Sequence, residues 1–452
     1  MVGSRAVDTA NRAHMVVVDE FAHEGAGARE GCGERQSNSV LRSFRYPRYR
    51  WLWFSNLAGS AGRWTLVLIL SIQLLQMTHS SFWVGIGLFL TQGPVIVLAP
   101  FSGALADRMD RRTLNVVSGL MSAAVTGLFA VLTWAHADSL AVWMVLALLY
   151  GLSFVAQMTV RATLTPSLVP RDELLNATSM TQVSIQGAQF LGPLLATPIL
   201  AARGAAAAWA FCSLLYIGSA ALSLPIGEVH GGGRRQDTGF GLQVAYRHLR
   251  SRGAAWVAVW AVALHCTLTM SYLGMLPMFV AADLNAGTST YGALLTSIGL
   301  GAMIGSVALA QFAHRNQPLW FLYSLVFSGV ALSLLGATTS ATNALIFGFL
   351  VGSSQAMFMS MTLAIIQSSV ADEFRGRATS FYQMITLTPM ALVGWGMGGL
   401  ADISEPRPLM ITLGIAFIIV MAIYALSSAW LRGLLRPSGW VAVPAAAESP
   451  AI

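Results

Sequence analysis

The chain has 452 residues, of which 55% are hydrophobic and only 10% charged, with a mean hydropathy of +0.64. Soluble domains carry about 25% charged residues, so this balance excludes an ordinary soluble enzyme or nucleic-acid-binding domain and indicates an integral membrane protein. The net charge of +7 comes from 26 arginines against 19 acidic residues, with no lysine; beside apolar segments, arginines set topology and meet anionic headgroups.

Residues 1–45 are polar, and their longest apolar run, Met15-Val-Val-Val18, is too short for a signal peptide. They read as a disordered cytoplasmic tail. Twelve apolar runs follow, at about 50–76, 82–105, 113–135, 139–165, 176–202, 207–227, 254–282, 289–313, 318–337, 341–368, 378–402 and 409–432. Each is long enough to cross a ~30 Å hydrocarbon core as a helix. A charged stretch, 228–252, parts the sixth run from the seventh; within it Leu242–Arg250 has apolar positions at helical spacing, which predicts a short amphipathic surface helix. The organisation expected is a six-helix bundle over 46–227, a linker over 228–252, a second bundle over 253–436 and a tail over 437–452.

Alternate loops differ sharply in arginine. Eighteen, including Arg42–Arg50, Arg108, Arg111, Arg112, Arg234, Arg235, Arg375 and Arg377, fall on one side, and only Arg203 and Arg407 on the other. The positive-inside rule then puts both termini and the linker in the cytoplasm of a bacterial inner membrane. The halves also repeat. Ser167–Ser179 aligns without gaps, 201 residues on, with Ser368–Ser380, sharing Ser, Val and the closing Ala-Thr-Ser; Ala104-Leu-Ala106 returns as Ala308-Leu-Ala310. Parallel repeats of this kind build transporters.

The stretch Gly103-Ala-Leu-Ala-Asp-Arg-Met-Asp-Arg-Arg112 crowds charge between the second and third runs. With Arg161–Pro170 plus Leu175-Asn-Ala177, and with Gly187–Pro193, it resembles the major facilitator superfamily, in the branch of bacterial drug and siderophore exporters that includes the enterobactin exporter. Gly103, Asp107, Arg108, Arg111 and Arg112 match the loop signature of that family, with Asp110 where many members have glycine. The resemblance implies an all-α fold of twelve transmembrane helices in two pseudo-symmetric six-helix bundles. It also implies a gate, in which Asp107 accepts from the start of helix 11 near Gly376, with Arg108 and Arg161 completing the network. The alternative for Arg111 and Arg112 is plain cytoplasmic anchoring. Gln311 stands where the second copy would carry Asp107, so one of two latches keeps its charge.

Ionisable residues deep in a span are costly and functional by default. Arg63 lies near mid-membrane in the first run, either to bind an anionic group or to snorkel outward. His265 is either a core histidine or a proton carrier; with Asp107 it makes the candidate set for proton coupling. Trp64, Gln92, Gln157, Gln186, Tyr272 and Gln355, with Met357 and Met359, are candidates for cavity contacts or for interhelical packing. Gly301-Ala-Met-Ile-Gly305 is a small-xxx-small packing pattern. Apart from Asp107, every acidic residue falls in a tail, a loop or a span end, so the sequence lacks an obvious carboxylate in mid-membrane.

Cys32, Cys212 and Cys266 have neither paired nor metal-type spacing, and no cofactor or metal is expected. A nucleophile with a base, a His-plus-carboxylate set and a Gly-Lys-Ser/Thr phosphate loop are all missing from the sequence, which speaks against an enzyme or an ATP-driven pump. The reading is a monomeric secondary transporter that exports a small drug-like or siderophore-like molecule against protons by alternating access. The alternative is an importer or uncoupled facilitator of a small, even anionic, solute.

Overall fold

The computed structural model describes residues 42–98, 110–137, 139–170, 173–229, 246–247, 249–250, 253–312, 317–368 and 375–427. Among these, eleven helices are long and apolar enough to cross a membrane. One of them, Leu174–Ser223, has 50 residues, about 75 Å of helix at ~1.5 Å per residue, more than twice the ~30 Å it must cross. It breaks at Gly204, where φ is 80° and ψ is 178°, a conformation that a side chain would strain. Two crossings meet at that glycine, which gives twelve.

We number them α1 (Pro47–Thr78), α2 (Ser81–Gln92, continuing as a span to Leu98), α3 (Arg111–Trp134), α4 (Leu140–Leu168), α5 (174–203) and α6 (205–223). The second half holds α7 (Gly253–Leu268), α8 (Thr288–Phe312), α9 (Gln317–Ala337), α10 (Ala341–Ser368), α11 (Arg375–Ile403) and α12 (Pro406–Ser427). We call the face holding Arg48, Arg50, Arg111 and Arg112 the arginine-rich face.

The seventh run departs from expectation. Instead of one helix over 254–282, α7 stops at Leu268; a 3-10 turn (Ser271–Gly274), a short helix (Leu276–Met278) and a π turn (Phe279–Asp283) follow. Pro277 has no amide hydrogen to offer the carbonyl of Leu273. A Cβ on Gly274 would stand 2.7 Å from the Gly394 carbonyl oxygen of α11 and 3.5 Å from Gly85 Cα of α2. The backbone is irregular where three helices converge.

Packing repeats with a shift of six. α1 packs on α5 and α6, α2 on α4, α3 on α4 and α6; correspondingly α7 packs on α11 and α12, α8 on α10, α9 on α10 and α12. The halves meet along α5/α8 and α2/α11, two pairs that the same shift exchanges. That pattern is two six-helix bundles related by a pseudo-twofold. In lipid, close backbone approach replaces the hydrophobic drive, and the α8/α10 seam shows how. Cβ atoms on Gly301 and Gly305 would collide with the Phe349 and Ser353 carbonyls, and on Gly352 with that of Ile298. The small-xxx-small reading of Gly301–Gly305 holds.

Outside the spans, Arg407 at the start of α12 ties back to the end of the π turn that follows α7, with Nη2 donating to the Asp283 carbonyl at 3.1 Å and Nε 3.5 Å from its carboxylate. Burial outweighs the guanidinium there and pushes the Asp283 carboxyl above its ordinary range. On the arginine-rich face Asp110 caps α3, accepting from the Thr113 amide at 2.9 Å and its hydroxyl at 2.8 Å. It also accepts from the Val229 amide at 2.7 Å, while Arg111 N donates to the Val229 carbonyl. Asp110→Ala is expected to cost about 1 kcal/mol, the value of an N-cap, read as a lower unfolding temperature in detergent. Of the predicted linker helix, Tyr246, Arg247, Leu249 and Arg250 are described; Leu249 is buried against α7, and Tyr246 meets Trp256 edge-on at 5.4 Å.

Candidate transport site and gates

The bundles close on each other at the face opposite the arginines. Asp402, near the end of α11, accepts from the Ser81 amide at 2.6 Å, the Phe82 amide at 3.1 Å and the Ser80 hydroxyl of the other bundle. Ser80 holds the N-cap position of α2 but makes no cap bond itself; the cap comes from Asp402, whose charge suits a helix N-terminus. Below it, a Cβ on Gly85 would stand 2.8 Å from Trp395 Cα. On the second seam, Gly292 leaves room for Thr197, and a Cβ on Gly299 would lie 2.5 Å from the Gln189 carbonyl oxygen. That carbonyl is free of its usual helical partner because Pro193 stands four residues on. Nearer the arginine-rich face the approach slackens: around Gly187 the nearest atoms, Leu57 Cδ1 and Met303 Sδ, are 4.0 Å away.

Of the expected latch at the arginine-rich face, Gly103, Asp107 and Arg108 lie outside the described residues. Gly376 sits in the first turn of α11. Arg111 binds within its own bundle, Nη1 donating to Ser167 Oγ at 2.8 Å and to the Thr163 carbonyl at 3.3 Å on α4. Arg112 is half-buried beside it. Arg161 does not reach across either. Its Nη2 donates to Ser219 Oγ of α6 at 3.2 Å, in a space that Gly59 of α1 leaves open and a Cβ would fill. It is a residue of the N-terminal bundle interior.

Higher in that bundle, Arg63 and Gln92 come together: Nη2 donates to Gln92 Oε1 at 2.8 Å. The guanidinium lies 4.6 Å from the Phe154 ring centroid and 5.8 Å from that of Trp64, within cation–π range. This is an inward-held arginine, not one that snorkels. Gln157, 3% exposed, has an amide nitrogen with no hydrogen-bond partner. Gly59 and Arg63 are one turn apart on α1, and Phe154, Gln157 and Arg161 follow one another on a face of α4. In the same bundle the Tyr150 and Tyr216 hydroxyls bond at 2.6 Å.

In the C-terminal bundle His265 is fully buried, its ring 4.4 Å from Phe358 and 5.3 Å from Phe417. Thr269 Oγ1 donates to the His265 carbonyl at 2.8 Å, so its contact with Nδ1 at 2.9 Å assigns the proton there to the ring. Nε2 has no partner. That geometry is a core histidine's. Gln355 donates to the Thr269 carbonyl at 2.6 Å, bracing the end of α7. Tyr272 and Met357 are sealed in core clusters, whereas Trp64, Gln186 and Met359 are half-buried. The expected cavity set thus divides between a polar column in the first bundle and packing residues in the second.

Several residues that matter here went unread in the sequence. Asn56, 1% exposed with neither amide atom bonded, precedes Gly59 by three positions. Ser55, Ser219, Ser223 and Asn115 form a hydroxyl chain joining α1, α6 and α3, with steps of 2.8–3.1 Å. The spacing of Asn56, Gly59 and Arg63 at i, i+3 and i+7 was the available signal; Asp402 offered none.

Residues 52–394 match the Major Facilitator Superfamily. The chain belongs to that superfamily. It is therefore a transporter by family and not an enzyme, and its relatives agree. It is 27% identical to enterobactin exporter EntS of Salmonella choleraesuis (strain SC-B67), over 84% of this chain and 92% of that protein. To EntS of Citrobacter koseri (strain ATCC BAA-895) it is 26% identical, over 88% and 95%. Among solved structures, a POT family transporter in complex with 5-aminolevulinic acid superposes with a TM-score of 0.67 at 9% identity, over 85% of this chain and 96% of that one. A bacterial homolog of the human lysosomal transporter Spinster gives 0.62 at 14% identity, over 84% and 96%. These two share the superfamily's fold.

Proposed function

We propose that this chain is a secondary transporter of the bacterial cytoplasmic membrane that exports a small siderophore-like or drug-like molecule in exchange for protons. The arginine count favours cytoplasmic termini and linker, and the kinship with enterobactin exporters favours export. The observation that carries the mechanism is the pair of seams, α2/α11 and α5/α8, closed on the face opposite the arginines. With that face sealed and the approach slackening around Gly187, the conformation is read as open to the cytoplasm. Rocking about the seams would expose the site to the other side.

Closing the cytoplasmic face would fall to Asp107, which follows α2 in the sequence, engaging the start of α11. It would mirror Asp402, which sits at the far end of α11 and engages the start of α2. The test uses everted vesicles loaded with a pH reporter, challenged with candidate siderophores. Substrate-triggered proton release from the lumen is expected, and Asp107→Asn should cut it at least tenfold while the protein still inserts. Unchanged transport in the variant would remove the latch.

One observation favours the uncoupled alternative: His265 is packed as a core residue, and among the described residues no carboxylate lies midway along a span. Substrate flux without proton movement would select the facilitator.

A further inference from the structure

The N-terminal bundle holds two guanidiniums and offers them few acceptors: that of Arg161 lies against Gly59 of α1, one helical turn before Arg63. Arg63 gives one hydrogen bond, to Gln92, and Arg161 one, to Ser219, with Nε of Arg161 buried and unpartnered. A guanidinium carries five N–H donors. On α4, Gln157 falls between Phe154, which meets Arg63, and Arg161; it is 3% exposed, with no acceptor for its amide nitrogen. The six described acidic residues, Asp110, Glu173, Glu228, Asp283, Asp402 and Glu405, all lie at helix ends or in loops. Buried cations are ordinarily paired; here, among the described residues, donors outnumber acceptors and no carboxylate pairs with either guanidinium.

Two features give the missing partner a shape. Paired, planar donors match the two oxygens of a carboxylate. The rings of Phe154 and Trp64 flank the Arg63 guanidinium, so an aromatic group attached to that carboxylate has surfaces to lie on. Arg63 stands midway along α1, and Gln157 and Arg161 step from there towards the arginine-rich face. The column therefore runs from mid-membrane towards the side from which cargo would enter.

We propose that Arg63, Gln157 and Arg161 form the binding site for the anionic group of the cargo, and that the cargo is an organic anion, best an aryl carboxylate. This rests on the transporter reading but not on export or coupling, because it is tested by binding alone.

Purified full-length protein in nanodiscs is titrated with benzoate and with benzamide, its neutral isostere, following tryptophan fluorescence. Benzoate is expected to bind at least tenfold more tightly. Arg63→Gln and Arg161→Gln should each weaken benzoate at least tenfold and leave benzamide unchanged, with Arg63→Lys recovering part of the loss. Gln157→Leu removes an unpaired buried amide, so it should not lower the unfolding temperature, yet it should weaken benzoate severalfold; this variant keeps the test open if an arginine variant fails to fold. Equal affinity for the two probes, absent benzoate binding, or benzoate affinity indifferent to Gln157→Leu and Arg63→Gln would overturn the site. Benzoate binding that obeys these rules, combined with absent efflux in vesicles, would instead count against the export reading while leaving the site in place.

Discussion

Gly299→Val is expected to abolish transport and to hold the bundles apart on the face opposite the arginines. A single Cβ there would already lie 2.5 Å from the Gln189 carbonyl carbon and oxygen and from the Phe190 nitrogen. All three are backbone, so no rotamer change relieves the clash. Overpacking costs typically 1–3 kcal/mol, a shift of roughly five- to a hundredfold in the equilibrium between closed and open seams. Because the open state carries no such penalty, the variant folds and inserts but dwells open. The reporter is a cysteine at Thr197, which in the closed seam packs against Gly292, in a Cys32→Ser background; Cys212 and Cys266 are buried and stay silent. Maleimide labelling of Thr197→Cys should rise at least tenfold in the valine background. Unchanged labelling would mean that α5 and α8 do not part during the cycle.

Asp402→Ala should act on the same equilibrium from the other seam, more gently. It removes the acceptor for two amides and a hydroxyl, and with it the cap of α2. A cap is worth about 1 kcal/mol, and the exposure of Asp402 keeps the estimate at that level, roughly a fivefold shift towards the open seam. Labelling at Thr197→Cys should rise by that factor, and Asp402→Asn, which keeps one acceptor, should fall between. The unfolding temperature should barely move, since the contact exists in only one of the two conformations. A marked loss of stability with no change in labelling would make Asp402 a structural cap and nothing more.

Most of the architecture was legible in the chain because hydrocarbon demands long apolar helices, and hydropathy reports them directly. The 201-residue repeat was legible too, and it foretold that contacts would come in pairs related by a shift of six. What escaped was geometry between distant segments. Asp402 meets Ser80, Ser81 and Phe82 across some 320 residues, and no local pattern marks it. Asp110 is the opposite case: with Thr113 three residues on, it carries a plain cap signature, yet it reads first as a deviation from a family motif. The family resemblance implied a latch role for Arg161, but the room made by Gly59 lets its guanidinium sit within the bundle against Ser219. Arg63 and Gln92 each stood out as polar groups in oily runs; only the fold reveals that they bond. His265 stood out for the same reason, and the fold sets its ring against Phe358 and Phe417. The break in α7 was half-written in Gly274 and Pro277, whose combined effect depends on α2 and α11 coming close.

The unbalanced arginines of the first bundle bear on energetics as well as recognition. A bacterial membrane is negative inside, and moving one elementary charge through it is worth about 2.3 kcal/mol per 100 mV. An anion seated on Arg63 and carried outward travels down that field, so the electrical gradient alone sustains a concentration ratio of roughly fifty to one per 100 mV for a singly charged cargo. In a carrier built this way the voltage would add its drive to the proposed proton exchange, and efflux would weaken when the voltage is clamped at zero.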